Sequence, residues 1–430
     1  MKKKILVFPC GSEIALEIYR SVKNSIHFDL IGASSVEDHG KFVFDQYIGG
    51  LPFITEPSFI DAVKKIVEVE KIDAIYPAMD AVIEILKKNE GVLHCKVVAS
   101  DAETTRICLS KSRTYEILKG VVKTPTMFTV EHLRKNQDLF PVFAKPDVGY
   151  GSRGAKKLNS MVDMESHLKQ YPSCIMLEYL PGKEYTVDCF TDRMGNLMVV
   201  CPRERCRIMN GISVNTKPVN DNLDVFEVFA EKINSVIKFR GAWFFQVKLD
   251  NDGCLTLLEV ASRFGGSSSL FRAQGVNFAL MSLFDAFDVP VAILRNTYNV
   301  EMDRALDNIY KIDVKYSEVF VDFDDCIYLD RKNVNDSLIA FLFRCINNKI
   351  KVTLLSRHDD AKLGKLDNLL DELRIRSLFD RIIHLDPSQK KIDFIDNIDS
   401  IFIDDSFAER KAVSEKLKIP VFSLDMVEAL

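Results

Sequence analysis

Residues 316–330, YSEVFVDFDDCIYLD, form an apolar run that ends in carboxylates. Asp322 and Asp324 stand two residues apart beyond the apolar side chains, and Asp325 follows directly. Carboxylates at the end of a buried strand are costly unless a cation or a phosphate chemistry needs them. This segment therefore predicts a cation or phosphate site in the last third of the chain.

A lysine and a glycine-rich loop form a second candidate site, in VFAKPDVGYGSRGAKK. Lys145 ends a predicted strand, and Gly149, Gly151 and Gly154 follow it. Glycines allow backbone N–H groups to approach phosphate oxygens, while lysine supplies a mobile positive charge. The pattern indicates phosphate binding, with an ordinary surface turn beside a lysine as the alternative.

Two glutamates lie on either side of a Pro-Gly turn in MLEYLPGKEYTVD. The backbone of the strand at Glu178 could contact an adenine edge, and the carboxylate of Glu184 could accept hydrogen bonds from ribose hydroxyls. A surface hairpin with solvated glutamates is the alternative interpretation.

Residues 242–260 predict a hairpin around the turn signal NDG. Symmetric pairing about this turn would place Gln246 opposite Leu257, with Glu259 two residues farther along the same face. One amide oxygen and one carboxylate that share a space suit magnesium. Glu259 lies in the apolar stretch LTLLEVA, where a lone charge is costly. A salt bridge to an arginine would also explain it.

Three arginines alternate along the predicted strand RERCRIMNG: Arg203, Arg205 and Arg207. Alternation places their side chains on one face of the strand. That face could receive an anionic substrate or intermediate, or it could simply be solvated.

The elements that position these residues form three blocks, which predict an α/β and α+β multidomain protein. Residues 1–100 alternate strands and helices, which indicates a parallel sheet covered by helices. Residues 101–312 have the pattern of hairpins separated by helices, and the α/β alternation resumes over residues 313–430, with one of its helices predicted over residues 361–373. The first strand is followed by PCGSE, whose single glycine does not match a dinucleotide-binding fingerprint.

Composition limits the classes of function. A net charge of -5 gives no electrostatic footprint for nucleic acid or an anionic membrane. No apolar run approaches the ~18 residues of a spanning helix, and the N-terminal apolar run of residues 5–8 is too short for an export signal. The ten cysteines are scattered without a CxxC pair, which predicts free thiols in a reducing cytoplasm.

Taken in order, VFAKP, EYLPGKEYTVD and QVKLDNDGCLTLLEVASRFGG resemble the motifs of the ATP-grasp superfamily, in particular its carboxylate–amine ligases and carbamoyl-phosphate-synthase-like members. The resemblance covers roughly residues 1–300. It implies a pre-ATP-grasp α/β domain over residues 1–100 and an ATP-grasp domain over residues 101–312, with an ATP lid at about 120–190. It also implies ATP and Mg²⁺ as cofactors.

The resemblance also implies roles for individual residues. Lys111, Lys145 and Gly151 would contact ATP phosphates, the strand with Glu178, Tyr179 and Leu180 would contact adenine, and Glu184 would contact ribose. Gln246 and Glu259 would bind magnesium, and Arg263 would contact the transferred phosphate. The family's last motif usually reads Glu-x-Asn-x-Arg, and here Ala261 replaces the asparagine. We therefore expect weaker binding of a second metal ion.

The segment of residues 317–430 resembles the haloacid dehalogenase superfamily, on the elements FVDFDDCIYLD, KVTLLSRHDD, PSQKKIDFI and SIFIDDSFAER. The resemblance implies Asp322 as nucleophile and Asp324 as general acid or base. Ser356 and Lys390, or alternatively Lys391, would hold a phosphoryl group. Asp404 or Asp405 would complete a magnesium site with Asp322 and Asp324. Cys326 replaces the usual threonine, and too few residues separate the first two motifs for an inserted cap domain.

The combined expectation is an ATP-dependent ligase that activates a carboxylate as an acyl phosphate for attack by an amine. Arg203 and Arg205 are candidate substrate contacts, and related ligases suggest a homodimer. The tail would be a phosphatase acting on a related phosphorylated small molecule. The alternatives are a phosphatase with a nucleotide-sensing module, a ligase with a non-catalytic tail, and a non-catalytic nucleotide-binding regulator.

Overall fold

The structure is a computed structural model that describes residues 2–149, 153–209, 211–305, 310 and 312–430. The chain forms two compact units, residues 1–306 and 307–430. The predicted boundary at residue 312 lies close to this division, and the predicted boundary at residue 100 lies inside the first unit. No helix in the described ranges is long and apolar enough to cross a membrane.

The first hundred residues form a five-stranded parallel sheet, in the order β3-β2-β1-β4-β5, as the alternating pattern predicts. The apolar residues of the first strand are buried on both faces of this sheet. The elements are β1 (Lys3–Phe8), α1 (Glu13–Val22), β2 (Phe28–Ala33), α2 (Gly40–Val43), β3 (Gln46–Ile48), α3 (Phe59–Glu70), β4 (Ala74–Pro77), α4 (Asp80–Lys88), α5 (Glu90–Leu93) and β5 (Lys96–Val97).

A four-stranded antiparallel sheet follows, in the order β6-β9-β7-β8, within the span predicted as a lid. Its elements and the two helices before it are α6 (Ala102–Leu109), α7 (Lys111–Leu118), β6 (Met127–Phe128), α8 (Val130–Lys135), β7 (Val142–Pro146), β8 (Lys156–Leu158), α9 (Met161–Gln170) and β9 (Cys174–Glu178).

The first unit ends in a six-stranded antiparallel sheet, in the order β14-β13-β10-β11-β12-β15. Its elements are β10 (Glu184–Thr191), β11 (Leu197–Met209), β12 (Ile212–Pro218), α10 (Leu223–Val236), β13 (Gly241–Leu249), β14 (Leu255–Ala261), α11 (Ser269–Ala273), α12 (Phe278–Ala286) and β15 (Met302–Asp303). On one face, Trp243 stacks on Phe239 and Phe245 stacks on Phe229 of α10. Because side chains alternate along a strand, the opposite face is left to Gln246 and its neighbours.

The second unit is built on a five-stranded parallel sheet, in the order β20-β19-β16-β21-β22. Its elements are β16 (Glu318–Val321), β17 (Tyr328–Leu329), β18 (Asn333–Val334), α13 (Asp336–Asn347), β19 (Lys351–Ser356), α14 (Asp360–Leu363), α15 (Leu366–Glu372), β20 (Arg381–His384), β21 (Ser400–Ile403), α16 (Phe407–Leu417) and β22 (Val421–Phe422). The helix predicted over residues 361–373 is two helices, because Gly364 between them has a φ of +89°. That angle lies outside the helical region.

Candidate functional site

Lys145 is a buried lysine at the centre of the candidate site of the first unit. Its Nζ donates a hydrogen bond of 2.6 Å to the carbonyl oxygen of Leu258 on β14. Burial lowers the pKa of Lys145 to about 7. The negative charges of Glu259 and Glu184 oppose this shift, and the positive charge of Lys111 adds to it. Glu259, Lys111 and Glu184 are therefore among the charged groups that act on Lys145 in the folded chain.

The lowered pKa of Lys145 predicts a pH-dependent stability. Between pH about 7 and pH about 10.5, the lysine holds a proton in the unfolded chain that the folded chain has released. Since the unfolded state binds more protons, the free energy of unfolding rises with pH in this window, by up to ~1.4 kcal/mol per pH unit. Urea titrations across the window should show this rise relative to Lys145→Met. If the free energies of unfolding of the two proteins changed with pH in parallel, the lowered pKa of Lys145 would be contradicted.

Lys111 lies at the start of helix α7 and is also buried. Its Nζ donates to the carbonyl oxygens of Asp147 and Gly149, each at 3.3 Å. The carboxylate of Asp147 accepts hydrogen bonds from the Ser110 hydroxyl and from the backbone N–H of Ser112. Asp147, which the sequence analysis missed, thereby ties the loop after β7 to the start of α7. The predicted phosphate contact Gly151 lies outside the described residues.

The segment predicted to contact adenine and ribose connects β9 to β10. The side chain of Glu178 accepts a hydrogen bond from the backbone N–H of Thr126, and Leu180 is buried. The ring of Tyr179 faces the ammonium groups of Lys157, at 4.1 Å from the ring centroid, and Lys248, at 5.9 Å. The side chains of Glu178 and Tyr179 are therefore held by contacts within the protein.

Gln246 and Glu259 face each other directly across strands β13 and β14. The predicted pairing of Gln246 with Leu257 is wrong for two reasons. The turn runs from Asp250 to Cys254, one residue longer than a symmetric turn at NDG, and a bulge lies after Gln246. The correction brings the two candidate metal ligands closer than the diagonal arrangement expected from the sequence.

The same row of the sheet continues through Thr186 on β10 to Arg203 on β11. Arg203 is buried, and its Nε donates to the carboxylate of Asp188 at 2.7 Å. Asp188 Oδ1 and Arg203 Nη1 are buried atoms that find no hydrogen-bond partner among the described residues. Neither Thr186 nor Asp188 was singled out by the sequence analysis.

Two arginine–aspartate pairs on strand β11 differ in burial and should differ in their effect on stability. Arg203→Met leaves the buried carboxylate of Asp188 unpaired, so the free energy of unfolding should fall by ~3–5 kcal/mol. Arg207 pairs with Asp303 in an exposed salt bridge, so Arg207→Met should cost no more than ~1 kcal/mol. Denaturant unfolding of both variants measures the two changes in the free energy of unfolding. Equal losses of stability would show that burial does not determine how much each ion pair contributes.

The remaining predicted residues of the first unit are also ion-paired. Arg205 contacts Glu184 at 3.0 Å, and burial lowers the pKa of Arg205, although Glu184 opposes this shift. Arg263 contacts Asp80 at 2.9 Å and lies over the ring of Phe244. These pairs hold both arginines in place, and Glu184 is held by Arg205 at the position predicted to contact ribose.

The second unit brings three charged side chains together at the ends of its parallel strands. Lys391 Nζ lies 2.8 Å from Asp322 and 2.6 Å from Asp404, and all three residues are buried. Burial raises the pKa of Asp322 although Lys391 opposes the shift. The predicted phosphate contact Lys390 is exposed, whereas the alternative, Lys391, is the buried lysine in contact with both aspartates.

The other predicted residues of the tail lie around this cluster. The hydroxyl of Ser356, at the end of β19, is buried and has no hydrogen-bond partner in the described part of the chain. A carboxylate oxygen of Asp405, a carboxylate oxygen of Asp322 and the sulfur of Cys326 all lie within 4.8 Å of one another. Asp405 therefore lies beside Asp322 and Cys326, while Asp404 meets Asp322 at their shared contact with Lys391.

His358 is a tail residue that the sequence analysis missed. Its Nδ1 lies 3.0 Å from each carboxylate oxygen of Asp324, and its Nε2 donates to the carbonyl oxygen of Gly364 at 2.8 Å. The imidazole therefore fixes the orientation of the Asp324 side chain. His358 follows Ser356 and Arg357 in the sequence, and nothing in this local pattern predicted its contact with Asp324.

Comparisons with known proteins agree with the architecture of the first unit. Residues 170–305 match the family described as "ATP-grasp in the biosynthetic pathway with Ter operon". Biotin carboxylase from Campylobacter jejuni, solved as a β,γ-ATP complex, superposes with a TM-score of 0.59 at 18% identity, over 69% of this chain and 74% of that chain. The first unit has an ATP-grasp fold.

A second solved structure and two curated relatives extend this comparison. N5-carboxyaminoimidazole synthetase from Staphylococcus aureus, complexed with ADP, has a TM-score of 0.56 at 16% identity, over 69% of this chain and 81% of that chain. The large chain of carbamoyl phosphate synthase from Thermoplasma acidophilum is 24% identical over 242 residues, which are 50% of this chain and 23% of the synthase. D-alanine–D-alanine ligase from Thermotoga maritima is 27% identical over 146 residues, which are 31% of this chain and 47% of the ligase.

This chain thus spans less than half the length of either curated relative. At these low sequence identities, the superposed structures indicate the fold of this chain but not its substrate.

Proposed function

We propose that the first unit is an ADP-forming ligase that joins a carboxylate to an amine. The observation that supports this most directly is that Lys145 Nζ donates to the carbonyl oxygen of Leu258, the residue before Glu259. Lys111 donates to the loop directly after Lys145, and the charge of Glu184 also acts on Lys145. Two lysines and two carboxylates around one space suit a triphosphate with its cation, because phosphoryl transfer depends on positioning and charge neutralisation.

The proposed reaction has two steps. A carboxylate oxygen of the acid attacks the γ-phosphorus of ATP, and the bond from that phosphorus to the ADP oxygen breaks. The amine nitrogen then attacks the carbonyl carbon of the acyl phosphate, the carbon–oxygen bond to phosphate breaks, and the amine proton passes to solvent. The ammonium groups of Lys111 and Lys145 would neutralise the phosphate oxygens during the first step.

The donor set fits a magnesium ion. Gln246 and Glu259 offer an amide oxygen and a carboxylate from directly paired positions, and oxygen donors of this kind are those that Mg²⁺ prefers. When bound, Mg²⁺ would neutralise charge on the phosphate oxygens. Ala261 supplies no ligand atom, so a second ion would depend on Glu259 and water.

Arg203 and Arg205 are the proposed contacts for an anionic substrate. Arg203 continues the sheet row that contains Gln246 and Glu259. Arg203 Nη1 and Arg205 Nε are buried donors without a hydrogen-bond partner within the described ranges. Unpaired buried donors are costly, which supports an acceptor from the substrate in the bound state. The free cysteines are consistent with a reducing cytoplasm, where we place the reaction.

A screen for ADP release tests the ligase proposal. Full-length protein would be incubated with ATP, Mg²⁺ and sets of amino acids and sugar acids, with and without an amine. We expect ADP release that depends on one acid, and a covalent acid–amine product detectable by mass spectrometry. ATP binding without acid-dependent ADP release would instead favour a nucleotide sensor.

For the second unit, we propose a phosphatase of the haloacid dehalogenase type. The supporting observation is the buried cluster of Asp322, Lys391 and Asp404, with Ser356 at the end of the neighbouring strand. An oxygen of Asp322 would attack the phosphorus of a phosphate ester, and the leaving oxygen would take a proton from Asp324. Water would then cleave the aspartyl-phosphate, returning a proton to Asp324 and releasing phosphate.

The two activities would form consecutive steps if the tail removes a phosphate from the substrate or the product of the ligase. Aryl phosphate hydrolysis by the full-length protein would establish the phosphatase separately. ADP formation without any phosphatase activity would favour a ligase with a non-catalytic tail.

A further inference from the structure

Cys326 lies beside the carboxylates of the tail site. It is fully buried in the loop after β16, and its sulfur shares a space with a carboxylate oxygen of Asp322 and one of Asp405, with all three atoms within 4.8 Å of one another. Such separations allow one divalent cation to contact all three atoms. Asp405 is exposed, so a cation can reach the space from solvent.

A second observation points to a ligand at this position. Asp322 is only 5% exposed, and its Oδ1 has no hydrogen-bond partner in the part of the chain described. That oxygen forms an ion pair with Lys391 Nζ, at 2.8 Å. Lys391 does form a hydrogen bond with Asp404, at 2.6 Å. The single charge of Lys391 is therefore shared by Asp322 and Asp404, and Asp405 adds a third carboxylate beside Asp322. Three carboxylates outnumber one lysine, so a cation at this position would balance the remaining negative charge.

We propose that Cys326 is a metal ligand and that the second unit prefers a thiophilic divalent cation, such as Zn²⁺, Cd²⁺ or Co²⁺, over Mg²⁺. Thiolate sulfur is a soft ligand that selects these ions, whereas Mg²⁺ takes oxygen ligands. On coordination the thiol gives its proton to solvent and the sulfur binds the cation, because a coordinating thiol is deprotonated. The position of the metal rests on the proposed phosphoryl site. The preference for a thiophilic cation does not require that this site hydrolyse a phosphate ester.

Cobalt spectroscopy on the full-length protein tests the sulfur ligand. Binding of Co²⁺ to a thiolate produces a sulfur-to-metal charge-transfer band in the near ultraviolet. We expect this band in the wild type and in Cys345→Ser, which removes another buried cysteine of the same unit, and its loss in Cys326→Ser. Mg²⁺ should not displace the band, whereas Cd²⁺ should. A band that persists in Cys326→Ser would overturn the proposal.

Isothermal titration without any phosphorylated substrate measures the preference itself. We expect Cys326→Ser to weaken Zn²⁺ and Cd²⁺ binding by at least the ~10–100-fold that loss of a metal-supporting group costs, with Mg²⁺ binding unchanged. Asp405→Asn, at an exposed position, should weaken binding of all these ions. If Cys326→Ser does not fold, Cys326→Thr would be titrated in its place. Equal losses of Zn²⁺ and Mg²⁺ affinity in the Cys326 variants would contradict a sulfur ligand, whether or not the phosphatase is active.

Discussion

Replacing Lys145 with methionine should reduce ADP formation by about 10²–10³-fold, the typical cost of removing one preorganised charge-stabilising donor. Methionine retains an unbranched apolar side chain in the buried position but carries no charge for the γ-phosphate. The carbonyl oxygen of Leu258 keeps a partner, because the hydroxyl of Tyr115 also donates to it at 2.6 Å. The measurement is the steady-state rate of acid-dependent ADP release.

Lys156→Met is the matched control for this variant. Lys156 is an exposed lysine on β8, the strand paired with β7, and its replacement should leave ADP formation unchanged. If Lys145→Met retains the wild-type rate while folding normally, Lys145 does not contact the transferred phosphate. Equal losses in both variants would indicate a general effect on the paired strands β7 and β8.

Asp322→Asn should abolish phosphate release from a phosphate ester, with a loss of at least about 10³-fold, as expected when a nucleophile is removed. The amide has nearly the same shape but is a poor nucleophile, so no aspartyl-phosphate forms. Acid-dependent ADP formation should continue at the wild-type rate. Phosphate release and ADP formation would be measured on the same preparation.

Asp325→Asn provides the comparison for the tail. Asp325 is exposed and has a φ of +53°, a conformation that asparagine also tolerates, so the substitution should preserve both the loop and phosphate release. Phosphatase activity that survives in Asp322→Asn would mean that another group attacks phosphorus. Activity lost equally in both variants would point to disruption of the loop.

Local sequence pattern was sufficient for most of the fold. The strand–helix alternation of the first hundred residues predicts the parallel sheet because each apolar run must be covered on both faces. The order of VFAKP, EYLPGKEYTVD and QVKLDNDGCLTLLEVASRFGG predicted the ATP-grasp fold that the comparisons support. Local pattern did not reveal the break at Gly364, since a single glycine in a polar stretch is tolerated in a helix.

Strand register illustrates a limit of sequence reasoning at the first site. Gln246 and Glu259 were predicted as candidate ligands, but their direct pairing depends on a one-residue bulge and a longer turn. Each feature shifts the register by one residue. The longer turn is held by the Asp250 side chain, which accepts hydrogen bonds from the backbone N–H groups of Asp252 and Cys254, and by Gly253 with a φ of +74°. Hairpin symmetry carries no information about either feature.

Residue chemistry and chain order identified by themselves the candidate groups of this protein: the lysines, the paired carboxylates, the arginines of β11 and the aspartates of the tail. Tertiary structure decided which of these groups meet. It selected Lys391 over Lys390, and it placed His358 against Asp324 and Asp188 against Arg203. The physical reason is that burial and pairing depend on contacts between residues distant in the chain, whereas residue type and periodicity are local.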